Sequence, residues 1–95
     1  MDKLSNSEVA EGLKSLEGWS VTDSRLQKHF DFANFPELIS FAVRVGFMAE
    51  ATNHHPDMLI QYRRLTFILW THEVTGLTKK DLDLAKQIEA ALNRY

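Results

Sequence analysis

The chain reads as an α+β fold: a four-stranded antiparallel sheet with three helices packed on one face, in the order α-β-β-α-β-β-α. Three observations predict it. Leu26, Phe30 and Phe32 alternate with Gln27, His29 and Asp31, and Leu65, Phe67, Leu69 and Thr71 alternate with Thr66, Ile68 and Trp70, the period of strands with one face buried. Each of these runs follows a shorter apolar segment and a polar turn, which makes two hairpins. Three further stretches carry apolar residues at helical spacing behind capping signals at Ser5, Asn34 and Thr78.

The elements follow in order. Ser5-Asn6-Ser7-Glu8 is a capping box for a first helix carrying Val9, Leu13 and Leu16, and Gly18 is expected to end it as the left-handed residue. Trp19 to Val21 and the run from Leu26 form the first hairpin around Thr22-Asp23-Ser24-Arg25, with Lys28 breaking the apolar row. Asn34 caps the longest helix, Pro36 suits its first turn, and Pro56 should stop it near Asn53. Leu38, Phe41, Ala42, Val45, Met48 and Ala49 form one stripe on that helix; Ile39, Val43 and Phe47 form a second. A helix apolar on two sides needs cover on two sides, and in so short a chain another subunit is the expected second cover. Met58, Ile60 and Tyr62 open the second hairpin. Leu84, Ala85, Ile88 and Leu92 are the buried stripe of the last helix.

Ninety-five residues, numbered 1–95, suit one domain, and the 44% apolar fraction is that of a globular chain. Such a domain buries about 60–70% of its unfolded surface, so association of subunits would add needed stability. A net charge of −2 with mixed signs gives no footprint for nucleic acid or an anionic membrane. The absence of cysteine excludes disulfides, zinc–thiolate sites and thiol nucleophiles. Met1-Asp2-Lys3-Leu4-Ser5 lacks a long apolar run and no segment reaches membrane-spanning length, so a cytoplasmic protein is expected.

Chemistry concentrates at element ends. His54-His55-Pro56 lies on the turn leaving the long helix, His72 follows the last strand, and Asp81 sits in the first turn of the last helix. Such positions place side chains at the rim of a rigid scaffold. Glu50 precedes His54 by four residues and would share its face if the helix extended that far. Each has a structural alternative: Asp81 as a capping carboxylate, Glu50 as a surface ion-pair partner, Pro56 as a helix stop, and any one histidine as a solvated residue. His29 is assigned to the polar strand face alone. Zinc would need three or four converging ligands, and adjacent histidines in extended backbone diverge, so no metal is expected. Neither a G-x-S-x-G elbow nor a glycine-rich phosphate loop is present.

Glu50-Ala51-Thr52-Asn53-His54-His55-Pro56, then Tyr62, Thr71-His72-Glu73, Gly76-Leu77-Thr78 and Asp81, taken in order, resemble the signature of pterin-4a-carbinolamine dehydratases. The resemblance covers nearly the whole chain and implies the same order of three helices and four strands. Met58 stands where relatives often carry an aromatic residue, and Trp70 where they often carry a small one. The implied reaction removes water from a 4a-hydroxytetrahydropterin, recycling the pterin of aromatic amino-acid hydroxylases without a cofactor or metal. Carried over by position, His54 is the main acid/base group and His72 the second. His55, with Pro56 and Glu50 beside it, belongs to the pterin-binding set. Asp81 holds a histidine in its tautomer, and Glu50 supports His54. The resemblance also implies a homodimer or homotetramer. Because some animal relatives serve as dimerisation partners of a transcription factor, a binding module is the alternative, as is action on another pterin.

Overall fold

The computed structural model describes residues 2–93; Met1, Arg94 and Tyr95, the ends of the single unit expected from the sequence, lie outside the described residues. Its elements are α1 (Asn6–Leu13), β1 (Ser20–Thr22), β2 (Arg25–Asp31), α2 (Phe35–Thr52), β3 (Asp57–Gln61), β4 (Arg64–Leu69), a short 3₁₀ turn (His72–Val74) and α3 (Lys79–Asn93). The strands form one antiparallel sheet in the order β1-β2-β4-β3. The α+β architecture and its element order are therefore those expected.

Local chemistry explains most boundaries. The Ser5–Glu8 capping box is closed, with Glu8 N–H donating to Ser5 Oγ and Ser5 N–H to Glu8 Oε1. The helix it starts ends at Leu13, earlier than expected. Gly18, at φ +86°, instead turns the chain into β1 after two tighter turns that bury Leu16 and Trp19. At the first hairpin Asp23 and Ser24 both have positive φ, the conformation whose twist matches paired strands. Asn34 Oδ1 accepts from Glu37 N–H at the start of α2. The second hairpin is one residue shorter than the sequence pattern, because Tyr62 takes φ +55° in the turn. β4 stops at Leu69, and Thr71 holds only an isolated bridge to Gly76.

The core lies on one face of the sheet. Leu26 and Phe30 of β2, with Leu65, Phe67 and Leu69 of β4, pack against Leu38, Phe41 and Val45 of α2 and Leu84, Ala85 and Ile88 of α3. Val9 and Leu13 of α1 lie against the edge of this cluster. Phe30, Phe41 and Phe67 meet with centroids 5.7–6.4 Å apart; Phe67 meets the other two in the edge-to-face geometry aromatic rings prefer, and Phe30 and Phe41 are tilted at 56°. Lys28, the polar interruption in β2, has its own partners. Its Nζ donates to Glu89 Oε2 of α3 at 2.6 Å and to the Glu17 carbonyl at 2.9 Å, while Trp19 Nε1 donates to the same Glu89 oxygen at 2.8 Å. The ion pair thus ties the first hairpin to α3. Of the second stripe of α2, Ile39 is partly buried against the core, while Val43 is 53% exposed and Phe47 74%.

Candidate active site

The end of α2 determines where the histidines go. Asn53 adopts the left-handed conformation, and its N–H bonds the Glu50 carbonyl while His54 N–H bonds the Ala49 carbonyl. These are the two bonds of a Schellman closure, which turns the chain sharply off the helix axis. His54 is therefore not on the helical face of Glu50. The expected Glu50–His54 support is absent; Glu50 Oε1 instead meets His55 Nε2 at 2.9 Å. That pair is open to solvent, with side chains 55% and 80% exposed for His55 and Glu50.

His54 turns inward to Asp81. Its Nε2 lies 2.6 Å from Asp81 Oδ1, and the Asp81 side chain has no exposed surface. Asp81 Oδ2 accepts from the Thr71 hydroxyl at 2.7 Å and the Thr78 N–H at 3.0 Å. Thr71 Oγ1 and Thr78 Oγ1 are 2.8 Å apart, and Lys80 N–H donates to Thr78 Oγ1. A hydroxyl has a single proton to give. Since Thr71 spends its proton on Asp81, Thr78 must donate to Thr71, and the chain of bonds runs Lys80, Thr78, Thr71, Asp81 in one direction. A carboxylate held this way takes the N–H of His54 at Nε2, which leaves Nδ1 as the nitrogen able to gain or give a proton. Asp81 also remains the capping carboxylate of α3, so the side chain that bonds His54 is the one that caps the helix.

A cleft of about 220 Å³ is lined by His54, His55 and His72 together with Trp70, Glu73 and Lys80. The turn after β4 brings His72 here, with its imidazole stacked on Trp70 at 3.8 Å between centroids. Asp81 lies behind His54, and Glu50 reaches the cleft only through its bond to His55. Pro56 does not line the cleft; it carries the chain from His55 into β3. A larger hollow of about 510 Å³ lies between α2 and α3 around Arg44, Met48 and Gln87, but it holds no histidine or carboxylate, so chemistry and not volume marks the site. Among the described residues no three His, Asp or Glu side chains converge as metal ligands. Thr71 and Thr78 as partners of Asp81, and Trp70 as partner of His72, went unassigned in the sequence. A hydroxyl continuing the core-facing row of β4 two residues past its end was the available signal for Thr71.

Residues 2–91 match the family profile described as pterin 4 alpha carbinolamine dehydratase. The chain belongs to that family. A protein of Roseiflexus sp. (strain RS-1) named "Putative pterin-4-alpha-carbinolamine dehydratase" is 46% identical over 92% of this chain and 94% of its own length. One of the same name from Sulfolobus acidocaldarius is 40% identical over 90% and 94%. The crystal structure of a transcriptional coactivator/pterin dehydratase from Brucella melitensis superposes with a TM-score of 0.91 at 30% identity, covering 95% of this chain and 98% of that one. A pterin dehydratase-like RuBisCO assembly factor of the alpha-carboxysome shares the fold, with a TM-score of 0.64 at 16% identity over 77% of this chain and 84% of that one. The pterin-4a-carbinolamine dehydratase fold thus carries more than one role among its members. No helix among the described residues is long and apolar enough to cross a membrane.

Proposed function

We propose that this member of the family is a cytoplasmic 4a-hydroxytetrahydropterin dehydratase, a hydro-lyase that regenerates the pterin of aromatic amino-acid hydroxylases. The observation that carries the reading is the buried Asp81 carboxylate bonded to His54 at the wall of the histidine cleft. The reaction breaks the C4a–O bond, with the hydroxyl leaving as water after gaining a proton. N5 loses its proton and its electron pair forms the C4a=N5 bond of quinonoid dihydropterin. One proton is given and one is taken, so two acid/base groups suffice. His54 Nδ1 supplies one and His72 the other, each contributing in the range of about 10²–10⁴-fold typical of positioned groups. Imidazole suits both roles near neutral pH. His55, braced by Glu50, orients the pterin, and Pro56 holds His55 in extended backbone. The elimination needs neither redox change nor covalent intermediate, and no cofactor or metal is assigned to it.

The test generates 4a-hydroxytetrahydropterin with an aromatic amino-acid hydroxylase and follows its decay by absorbance. Decay faster than the spontaneous rate, unchanged after chelator treatment of the protein, is the expected result. Acceleration abolished by chelator would assign the chemistry to a metal, and no acceleration would remove the dehydratase reading.

The chain is further proposed to act as a homodimer or homotetramer. Phe47 of α2 and Tyr62 beside the edge strand β3 are 74% and 71% exposed, and Leu59 is 48% exposed. Apolar side chains in such number on a short chain favour association. The same surface supports the alternative of a dimerisation module for another protein. Mass in solution and a pull-down separate them: a self-assembled species favours the enzyme, a stable hetero-complex the module. Direct nucleic-acid contact is not part of either reading.

A further inference from the structure

We infer that Trp70 is a positioning residue for His72, so that an aromatic stack, in addition to hydrogen bonds, completes the acid/base pair. This rests on the dehydratase reading above. The indole of Trp70 and the imidazole of His72 lie 3.8 Å apart between centroids, with planes 22° from parallel. Both side chains line the cleft that holds His54. His54 and His55 are oriented by carboxylates. Among the described residues no hydrogen bond orients the ring of His72, so the indole face is what holds it.

The indole is itself placed from one side by charge. The Arg25 guanidinium carbon lies 4.3 Å from the Trp70 ring centroid, and Arg25 Nη1 donates to the Asp23 carbonyl in the left-handed turn of the first hairpin. Leu26 faces Leu69 in the β2–β4 register, so Arg25 and Trp70 are the next facing positions. Trp19 offers a contrast: its N–H is anchored on Glu89, whereas the buried Trp70 N–H has no acceptor among the described residues. A buried donor left without an acceptor is uncommon and costs stability, so the ring is held here by its face contacts and packing and not by its N–H. The faces of Trp70 are engaged, and the ring also packs partly buried against the core, where its N–H is covered without an acceptor among those residues. A line of contact therefore runs from the β1–β2 turn through Arg25 and Trp70 to His72.

The consequence is orientational. The χ2 torsion of histidine is broad, so an imidazole with no hydrogen bond samples many ring planes. Contact with a flat indole restricts it. Where His72 moves a proton in the transition state, the gain appears in turnover and not in substrate binding.

The test is a double-mutant cycle in the dehydration assay, using Trp70→Leu, Trp70→Phe, His72→Ala and the Trp70→Leu/His72→Ala pair, with NMR of the His72 ring protons. Trp70→Leu is expected to lower kcat about fivefold to twentyfold with KM within about twofold, and Trp70→Phe to restore most of the loss. On the His72→Ala background Trp70→Leu should add less than about twofold. The upfield ring-current shift of the His72 protons should vanish in Trp70→Leu and persist in part in Trp70→Phe. Should Trp70→Leu lose its fold by circular dichroism, the cycle runs on Trp70→Met, which keeps bulk at the position without an aromatic face. Fully additive effects, or a normal kcat in Trp70→Leu, overturn the inference while the dehydratase reading stands. A wild-type protein that does not accelerate the dehydration overturns both.

Discussion

His54 Nε2 and Asp81 Oδ1 stand 2.6 Å apart across a gap of 27 residues in sequence, and the carboxylate has no exposed surface. Its second oxygen is taken by Thr71 and Thr78, so Asp81 cannot rotate to release the histidine without breaking a helix cap. One side chain thereby holds both the helix cap and the histidine.

Asp81→Asn tests that joint role. The amide keeps the shape but places N–H₂ where an acceptor stood, facing either His54 or the donors Thr71 and Thr78. The tautomer of His54 should reverse and kcat should fall by about 10²–10⁴-fold. Thermal unfolding should move lower as well, because the cap is weakened. Activity assayed beside melting curves checks both parts.

Thr71→Val removes one hydroxyl at nearly constant volume. Asp81 Oδ2 then keeps only the Thr78 N–H, and the Thr78 hydroxyl loses its acceptor in a buried setting. Destabilisation of about 1–3 kcal/mol is expected. Thr71→Ser should recover most of it, because the donor returns. Urea unfolding of the two variants decides the matter.

The Glu50–His55 pair should behave differently. It is largely solvated, and exposed pairs are worth about 0.2–1 kcal/mol. Glu50→Gln should leave stability within that margin and alter KM more than kcat, if His55 only orients the pterin. A kcat loss in His55→Ala as large as that in His54→Ala would move His55 into the proton-transfer machinery.

Lys28→Met tests why a cation interrupts the apolar row of β2. The substitution leaves Glu89 with Trp19 as its one remaining donor in the group and half-buries an unpaired carboxylate. A loss of about 1–3 kcal/mol is expected, measured by denaturant titration. Lys28→Met with Glu89→Gln together should cost less than the first change alone, since the unpaired charge is gone.

Much of this was legible in the sequence, and the exceptions have physical reasons. Capping at Ser5, Asn34 and Thr78, the alternation of β4, and the stop of α2 at Asn53 depend on local chemistry, which a sequence displays directly. The pairing of Glu50 with His55 does not. It depends on one left-handed residue, Asn53, that rotates everything after it; a helix one turn longer would have paired Glu50 with His54 instead. Gly18 was read as the end of α1 for a similar reason, since φ > 0 is legible from a glycine but the turn it serves is not. Lys28 looked like a fault in a strand because its partner, Glu89, is 61 residues away. The contact of Trp70 with His72 depends on β4 ending at Leu69, two residues before the alternation of side chains does.

His54, bonded at Nε2 to Asp81, is proposed to move a proton through Nδ1. The most direct measurement is the catalysed decay of 4a-hydroxytetrahydropterin by His54→Ala, set against wild-type protein and the spontaneous rate. A fall of at least about 100-fold in catalysed kcat with circular dichroism unchanged is expected. A His54→Ala protein that folds and turns over at the wild-type rate would contradict it.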